Sequence, residues 1–196
     1  MEKIEVKIGV SNRHVHLKEE DFKILFGNNF NLEKIKDLTQ PGEFASNCKL
    51  TIKTEKDFIE NVRVLGPLRN YTQVEISKTD AFKLGINPPV RESGDITGSE
   101  KVTLVGPEGT IDLDEGCIIA TRHIHLTNDD VKKYNLEGKK YVDVYVKGLK
   151  GGLLRNVSLK VNDNYVFELH IDTDDANAHL INQGDIGYII KDNANE

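Results

Sequence analysis

The chain has 196 residues, 38% of them hydrophobic and 30% charged, with a formal net charge of −6. That length and mix suit a globular chain with a real core, built as one large domain or two small ones, and no apolar run approaches the roughly 18 residues of a membrane-spanning helix. The acidic balance, with no run of lysine or arginine, argues against nonspecific nucleic-acid binding, which needs a basic surface to neutralise phosphates.

Chain order begins with "MEKIEVKIGV", which alternates Ile4, Val6, Ile8 and Val10 instead of showing the continuous apolar stretch of a signal peptide. A strand and a cytoplasmic location are expected. Further period-two runs follow: "KLTIK" (49–53), "NVRVLG" (61–66), "TQVEIS" (72–77), "KVTLVG" (101–106), "KYVDVYV" (140–146), "NVSLKV" (156–161), "YVFELHI" (165–171) and "IGYIIK" (186–191). The helical candidates are short and open on acidic or hydroxyl residues: 18–27, closed by Gly27, then 78–85, 127–135 and 173–180. Turns are expected at "PGE" (41–43) and "GPEG" (106–109), a hairpin at "VNDNY" (161–165), and a frayed tail at 192–196. Many short strands with tight turns and helices too short to form layers predict a mainly β protein of barrels or sandwiches. Cys48 and Cys117 match no CxxC pattern, so both are expected to stay reduced and to fill apolar space.

"RHVHL" (13–17) returns as "RHIHL" (122–126), and these two copies take four of the six histidines. The repeat continues: "KEEDF" matches "TNDDV" in place, "VEISKTDA" (74–81) aligns without gaps to "LHIDTDDA" (169–176), and "SGDITG" (93–98) corresponds to "QGDIG" (183–187). Matches in the same order imply two related halves. The separation is 61 residues from His14 to Glu75 and 47 from His123 to His170, so the first half carries about fourteen more residues, most economically an excursion within 29–44. Glu75 and His170 are equivalent positions.

On a strand, residues i and i+2 point to one face roughly 6.5 Å apart, so both imidazoles of an HxH can close on one ion. A lone HxH is most simply a partly exposed pair. Two copies in matching context, each with a carboxylate or imidazole downstream, point to metal sites of His14, His16 and Glu75 and of His123, His125 and His170. Three ligands leave a coordination position open, as in catalytic rather than structural zinc.

Arg13 and Arg122 face away from the paired histidines and are expected to anchor the opposite side or a loop. Asp80 and Asp175 are expected as N-terminal helix residues that suit the macrodipole, and His179 as a structural residue on a helix. Arg69 follows a Gly-Pro turn just before the strand that bears Glu75, where a guanidinium can hold phosphate in bidentate fashion or simply be solvated. Ser93 and Gly94 can present hydroxyl or backbone donors to an anion.

At "SNRHVHL", "LGPLR", "TQVEIS", "SGD", "RHIHL" and "HIDTDDANA" the chain closely resembles the phosphate propanoyltransferases, the PduL-type phosphotransacylases, from about residue 5 to residue 190. The resemblance implies interconversion of a short-chain acyl-CoA (propanoyl or acetyl) plus phosphate with acyl phosphate plus CoA, using two zinc ions. It implies two related β-barrels capped by short α-helices, one of residues 1–12 with 121–191, the other of 13–120 with an extra two-stranded excursion near 29–44. It further implies a homo-oligomer, commonly a dimer, with His14, His16 and Glu75 on one zinc, His123, His125 and His170 on the other, and Arg69 on phosphate. Only about ten residues precede the first motif, so the N-terminal extension that targets some members to bacterial microcompartments is not expected; a free cytoplasmic enzyme is favoured, with packaging into a microcompartment by another route the alternative. A two-metal hydrolase of acyl-CoA or phosphoesters and a noncatalytic metal-stapled module are the alternatives.

Overall fold

The computed structural model describes residues 4–190. In chain order the elements are β1 (Ile4–Ser11), β2 (His14–His16), α1 (Glu19–Phe26), β3 (Lys34–Asp37), β4 (Phe44–Lys53), β5 (Phe58–Gly66), β6 (Gln73–Glu75), α2 (Lys78–Leu84), β7 (Val90–Arg91), β8 (Glu100–Val105), β9 (Thr110–Ala120), β10 (His123–Leu126), α3 (Asn128–Lys133), β11 (Tyr141–Val146), β12 (Gly152–Val161), β13 (Glu168–Asp172), α4 (Thr173–His179) and β14 (Ile186–Ile190). Lys191 and the tail at 192–196 lie outside the described residues. None of the described helices is long and apolar enough to cross a membrane.

The chain divides into two compact units, one of the N-terminal segment to Ser11 with the chain from Thr121 onward, the other of Asn12–Ala120. In the first, six strands close in the order β1-β13-β10-β12-β11-β14, with β14 returning to β1. In the second, β4, β5, β2, β6, β9 and β8 pair in turn and β8 returns to β4. The two barrels have one connectivity. The HxH strand runs parallel to one neighbour (β12 or β5) and antiparallel to the other (β13 or β6), and that last strand runs parallel to the sixth (β1 or β9). Strand β1 therefore occupies in its barrel the place that the end of β9 occupies in the other, and each leads the chain across the unit boundary into an HxH strand. That is why an N-terminal strand completes a barrel made of C-terminal residues.

Alternation on the strands sorts core from site. Val15, between His14 and His16, and Val74, between Gln73 and Glu75, are fully buried in the core of the Asn12–Ala120 unit; Ile124 and Leu169 hold the equivalent places in the other core. Because successive strand residues point to opposite faces, burying these aliphatics fixes the histidines and Glu75 on the other face. A one-residue slip would exchange the two sets.

Helices α2 and α3 start in capping boxes, Ser77 with Asp80 and Thr127 with Asp130, and Asp172 caps α4 by accepting from the Asp175 amide at 2.8 Å. Helix α1 has no side-chain cap but carries three acidic residues in its first turn. The "GPEG" turn between β8 and β9 packs against its C-terminal end: the Glu108 amide donates to the Leu25 carbonyl at 3.0 Å, and a Cβ on Gly106 or Gly109 would run into the Leu25 and Ile24 carbonyls. Cys48 and Cys117 are both free and buried, and burial pushes the Cys117 thiol up to about 12.

Several elements differ from the sequence reading. The "VNDNY" turn exists, with the Tyr165 amide donating to the Asn162 carbonyl at 2.9 Å, but it closes no hairpin, because β10 lies between β12 and β13. Residues 165–167 are irregular, with Phe167 stacked on Tyr134 at 5.0 Å between ring centroids. Strand β9 adds to the runs read from the sequence: Ile111 and Leu113 alternate with exposed residues in its first half, but its end packs four successive buried residues, Gly116 to Ile119, and shows no period of two. The 29–44 excursion holds one strand, β3, which pairs with the start of β4 around the "PGE" turn.

Candidate metal centres

In the Asn12–Ala120 unit, the antiparallel register of β2 and β6 sets His14 directly opposite Glu75 and His16 opposite Gln73. One ligand atom from each of His14, His16 and Glu75 lies within 4.8 Å of the others. In the other unit, β10 and β13 set His123 opposite His170 and His125 opposite Glu168, and His123, His125 and His170 meet the same limit. Register converts the sequence equivalence of Glu75 and His170 into a spatial one.

The ring nitrogens are sorted by their hydrogen bonds. His14 Nδ1–H donates to the Asn12 carbonyl and His123 Nδ1–H to the Thr121 carbonyl, each at 2.8 Å, which directs both Nε2 atoms at the trio. His14 Nε2 then stands 3.4 Å from Glu75 Oε2, close enough for one proton or one metal ion to be shared between them. His16 Nδ1 and His125 Nδ1 are buried without a hydrogen-bond partner. A buried ring nitrogen without a partner is costly unless something binds it.

Burial holds the His16 imidazole far below its ordinary pKa, with help from His14 and Arg69. His125 is lowered to about 3 by burial, then by His170 and Lys160, and His123 is held well down by burial and Lys160. All three are thus neutral imidazoles near neutral pH, the form that binds a metal. Donor type, spacing and partnerless ring nitrogens all fit a divalent ion with nitrogen and oxygen ligands, zinc included.

Arg69 is brought beside the first trio by its backbone, whose amide donates to the Leu17 carbonyl at 2.8 Å, one residue beyond His16. Its guanidinium donates to Tyr71 Oη (3.2 Å), Ser93 Oγ (3.3 Å) and Glu43 Oε1 (2.9 Å). It is not simply solvated. Ser93 Oγ also accepts from Gln73 Nε2 at 2.9 Å, so with both lone pairs engaged the hydroxyl has only its proton left to offer. Gly94 is not an anion donor: its amide is taken by Gln73 Oε1 at 2.7 Å.

Arg13 and Arg122 do turn away from the histidines. Arg13 grips Asp80 and Arg122 grips Asp175, each through two nitrogens at 2.7–2.9 Å. His179, at the end of α4, bonds the Lys150 carbonyl through Nδ1 at 3.0 Å.

Three residues near the trios escaped the sequence reading. Gln73 Nε2 donates to Glu75 Oε1 at 2.7 Å, Glu168 Oε2 accepts from His170 Nε2–H at 2.8 Å, and the Tyr165 ring lies 4.4 Å from that of His125. Gln73 and Glu168 each stand two residues before the third ligand, a spacing that places them on its face of the strand.

The family model of the phosphate propanoyltransferases matches residues 7–182. The chain is 47% identical over 185 residues to the phosphate propanoyltransferase of Thermotoga maritima, covering 94% of this chain and 88% of that one. It is 50% identical over 184 residues to that of Priestia megaterium (94% and 85%) and 42% identical over 187 residues to that of Rhodopseudomonas palustris (95% and 83%). With two barrels of one connectivity, each carrying a trio of donors, and matches that run along nearly the whole chain, this protein belongs to the phosphate propanoyltransferase family of acyltransferases.

Proposed function

We propose that the protein interconverts a short-chain acyl-CoA, propanoyl-CoA or acetyl-CoA, plus phosphate with the acyl phosphate plus CoA, by direct transfer at sites that hold two zinc ions per chain. Its partners are then coenzyme A, phosphate and the acyl-CoA, and its assembly a homodimer. The observation that carries this reading is the pair of trios, His14, His16 and Glu75 and His123, His125 and His170, whose donor atoms converge within 4.8 Å in each unit. Three donors leave a zinc ion an open position. When bound, zinc supplies a Lewis acid that favours a thiolate over the thiol, whose ordinary pKa is about 8.5.

The chain's own groups supply the rest. Arg69 offers a planar fork suited to phosphate, and Ser93 offers its remaining proton to an anion oxygen. Glu43, paired with Arg69 at 2.9 Å, is the carboxylate that phosphate replaces. Held there, a phosphate oxygen attacks the acyl carbonyl carbon, the C–S bond breaks, and CoA leaves as thiolate; a C–O bond to phosphorus-bound oxygen replaces the thioester. Holding both reactants removes much of the entropic cost of their meeting. No side chain need carry the acyl group.

The test is CoA release from propanoyl-CoA with and without phosphate, combined with elemental analysis. Phosphate-dependent release and two zinc per chain are expected. Release at equal rates without phosphate would instead identify a hydrolase that uses the same ligands, and a radiolabelled acyl group retained on the protein in the absence of phosphate would overturn direct transfer.

A further inference from the structure

Each trio has a strand neighbour two residues before its third ligand, and the pair of neighbours differ in charge. Beside His14, His16 and Glu75 stands Gln73, a neutral amide that donates to Glu75 Oε1 at 2.7 Å. Beside His123, His125 and His170 stands Glu168, which accepts from His170 Nε2–H at 2.8 Å. The carboxylate is a ligand in one unit and sits one bond behind a ligand in the other. Each constellation of four residues thus holds one carboxylate, on the equivalent strand (β6 or β13), at alternate positions.

Glu168 is placed for that task. It is 1% exposed, lies directly opposite His125 in the β10–β13 register, and its Oε1 is buried with no hydrogen-bond partner. Such burial is unfavourable for a carboxylate unless positive charge lies near. Gly9 sits opposite His170 in the parallel β1–β13 register, and a Cβ there would come within 3.1 Å of Glu168 Cδ and 3.2 Å of His170 Cδ2. The missing side chain at Gly9 is the room in which the Glu168–His170 pair lies. With Nε2–H committed to Glu168, His170 has Nδ1 left for an ion.

We propose that Glu168 is a positioning residue that fixes the His170 tautomer and supplies, from behind that ligand, the negative charge that Glu75 supplies directly in the other unit. This rests on the metal reading above. An ordered carboxylate behind a ligating histidine raises its basicity, and its loss typically lowers metal affinity 10–100-fold.

The experiment is titration of the metal-free protein with zinc against a chromogenic chelator. Two sites are expected in the unaltered protein. Glu168→Gln, which keeps size and shape, is expected to weaken one site 10–100-fold and leave the other unchanged, whereas Glu168→Asp, which keeps the charge, stays closer to the unaltered protein. Two unaltered affinities in Glu168→Gln would overturn the proposal alone; no zinc uptake by the unaltered protein would overturn the metal reading itself. Should Glu168→Gln fail to fold, long-range 1H–15N correlation on the zinc-loaded unaltered protein decides the matter. His170 protonated at Nε2 is expected, and protonation at Nδ1 would overturn the assignment.

Discussion

Arg13 and Asp80 form a two-point ion pair, Nε to Oδ2 at 2.9 Å and Nη2 to Oδ1 at 2.7 Å, that joins the residue before β2 to the first turn of α2. Arg122 and Asp175 repeat it in the other unit at 2.8 and 2.7 Å. Each bridge ties the entry of an HxH strand to the helix that follows the strand of the third ligand. Asp80 also accepts from the Ser77 amide as half of the α2 capping box, so it serves helix start and bridge at once. Arg13→Ala leaves that buried carboxylate without its cation. Because the Arg13 side chain is itself 35% exposed, the expected cost is about 1–2 kcal/mol, below the ~3–5 kcal/mol of a fully buried pair. Urea unfolding measures it, and a midpoint unchanged from the parent would refute the assignment.

Removing a ligand is expected to act on one unit at a time. His14→Ala and His123→Ala should each reduce the metal content by one equivalent and abolish nearly all acyl transfer, since three donors become two. Elemental analysis with a phosphate-dependent activity assay reads both outcomes. Retention of two equivalents in either variant would count against that trio.

Arg69 and Glu43 should behave as opposites. Arg69→Ala is expected to raise KM for phosphate about 10–100-fold, the loss of a charge-assisted two-point contact, with both metals retained. Glu43→Gln removes the carboxylate that competes for the guanidinium at 2.9 Å and is expected to lower that KM several-fold. Steady-state kinetics at varied phosphate distinguish the two, and a raised KM in Glu43→Gln would show the carboxylate to orient Arg69 instead.

The buried imidazoles set a pH dependence of stability in the metal-free protein. His16, His123 and His125 have folded-state pKa values depressed by burial, that of His125 to about 3, while the unfolded chain takes up protons near 6.5. Below about pH 6.5 the unfolded state binds more protons, so stability falls as pH falls, by up to about 1.4 kcal/mol per unit per group. Bound metal competes with these protons and should move the loss to lower pH. Thermal unfolding from pH 8 to 4, with zinc and with a chelator, checks the sign; curves flat between pH 7 and 5 without metal would contradict it.

What the sequence alone determined was the chemistry of the strands. Paired histidines one β-branched residue apart, and the gapless match of "VEISKTDA" to "LHIDTDDA", were legible because side-chain alternation is a local property of a strand and a duplicated pattern needs no partner to be seen. Tertiary structure decided what those residues meet. Asp80 and Asp175 were readable as first-turn helix residues, but their arginines lie 67 and 53 positions away. Glu168 and Gln73 gain meaning only when antiparallel register sets them opposite His125 and His16. The "VNDNY" turn looks like a hairpin because local turn chemistry says nothing of a third strand between its arms. Pairing between distant strands is settled by burying Val15 with Val74 in one core and Ile124 with Leu169 in the other, and that gain belongs to each closed barrel, not to any one segment.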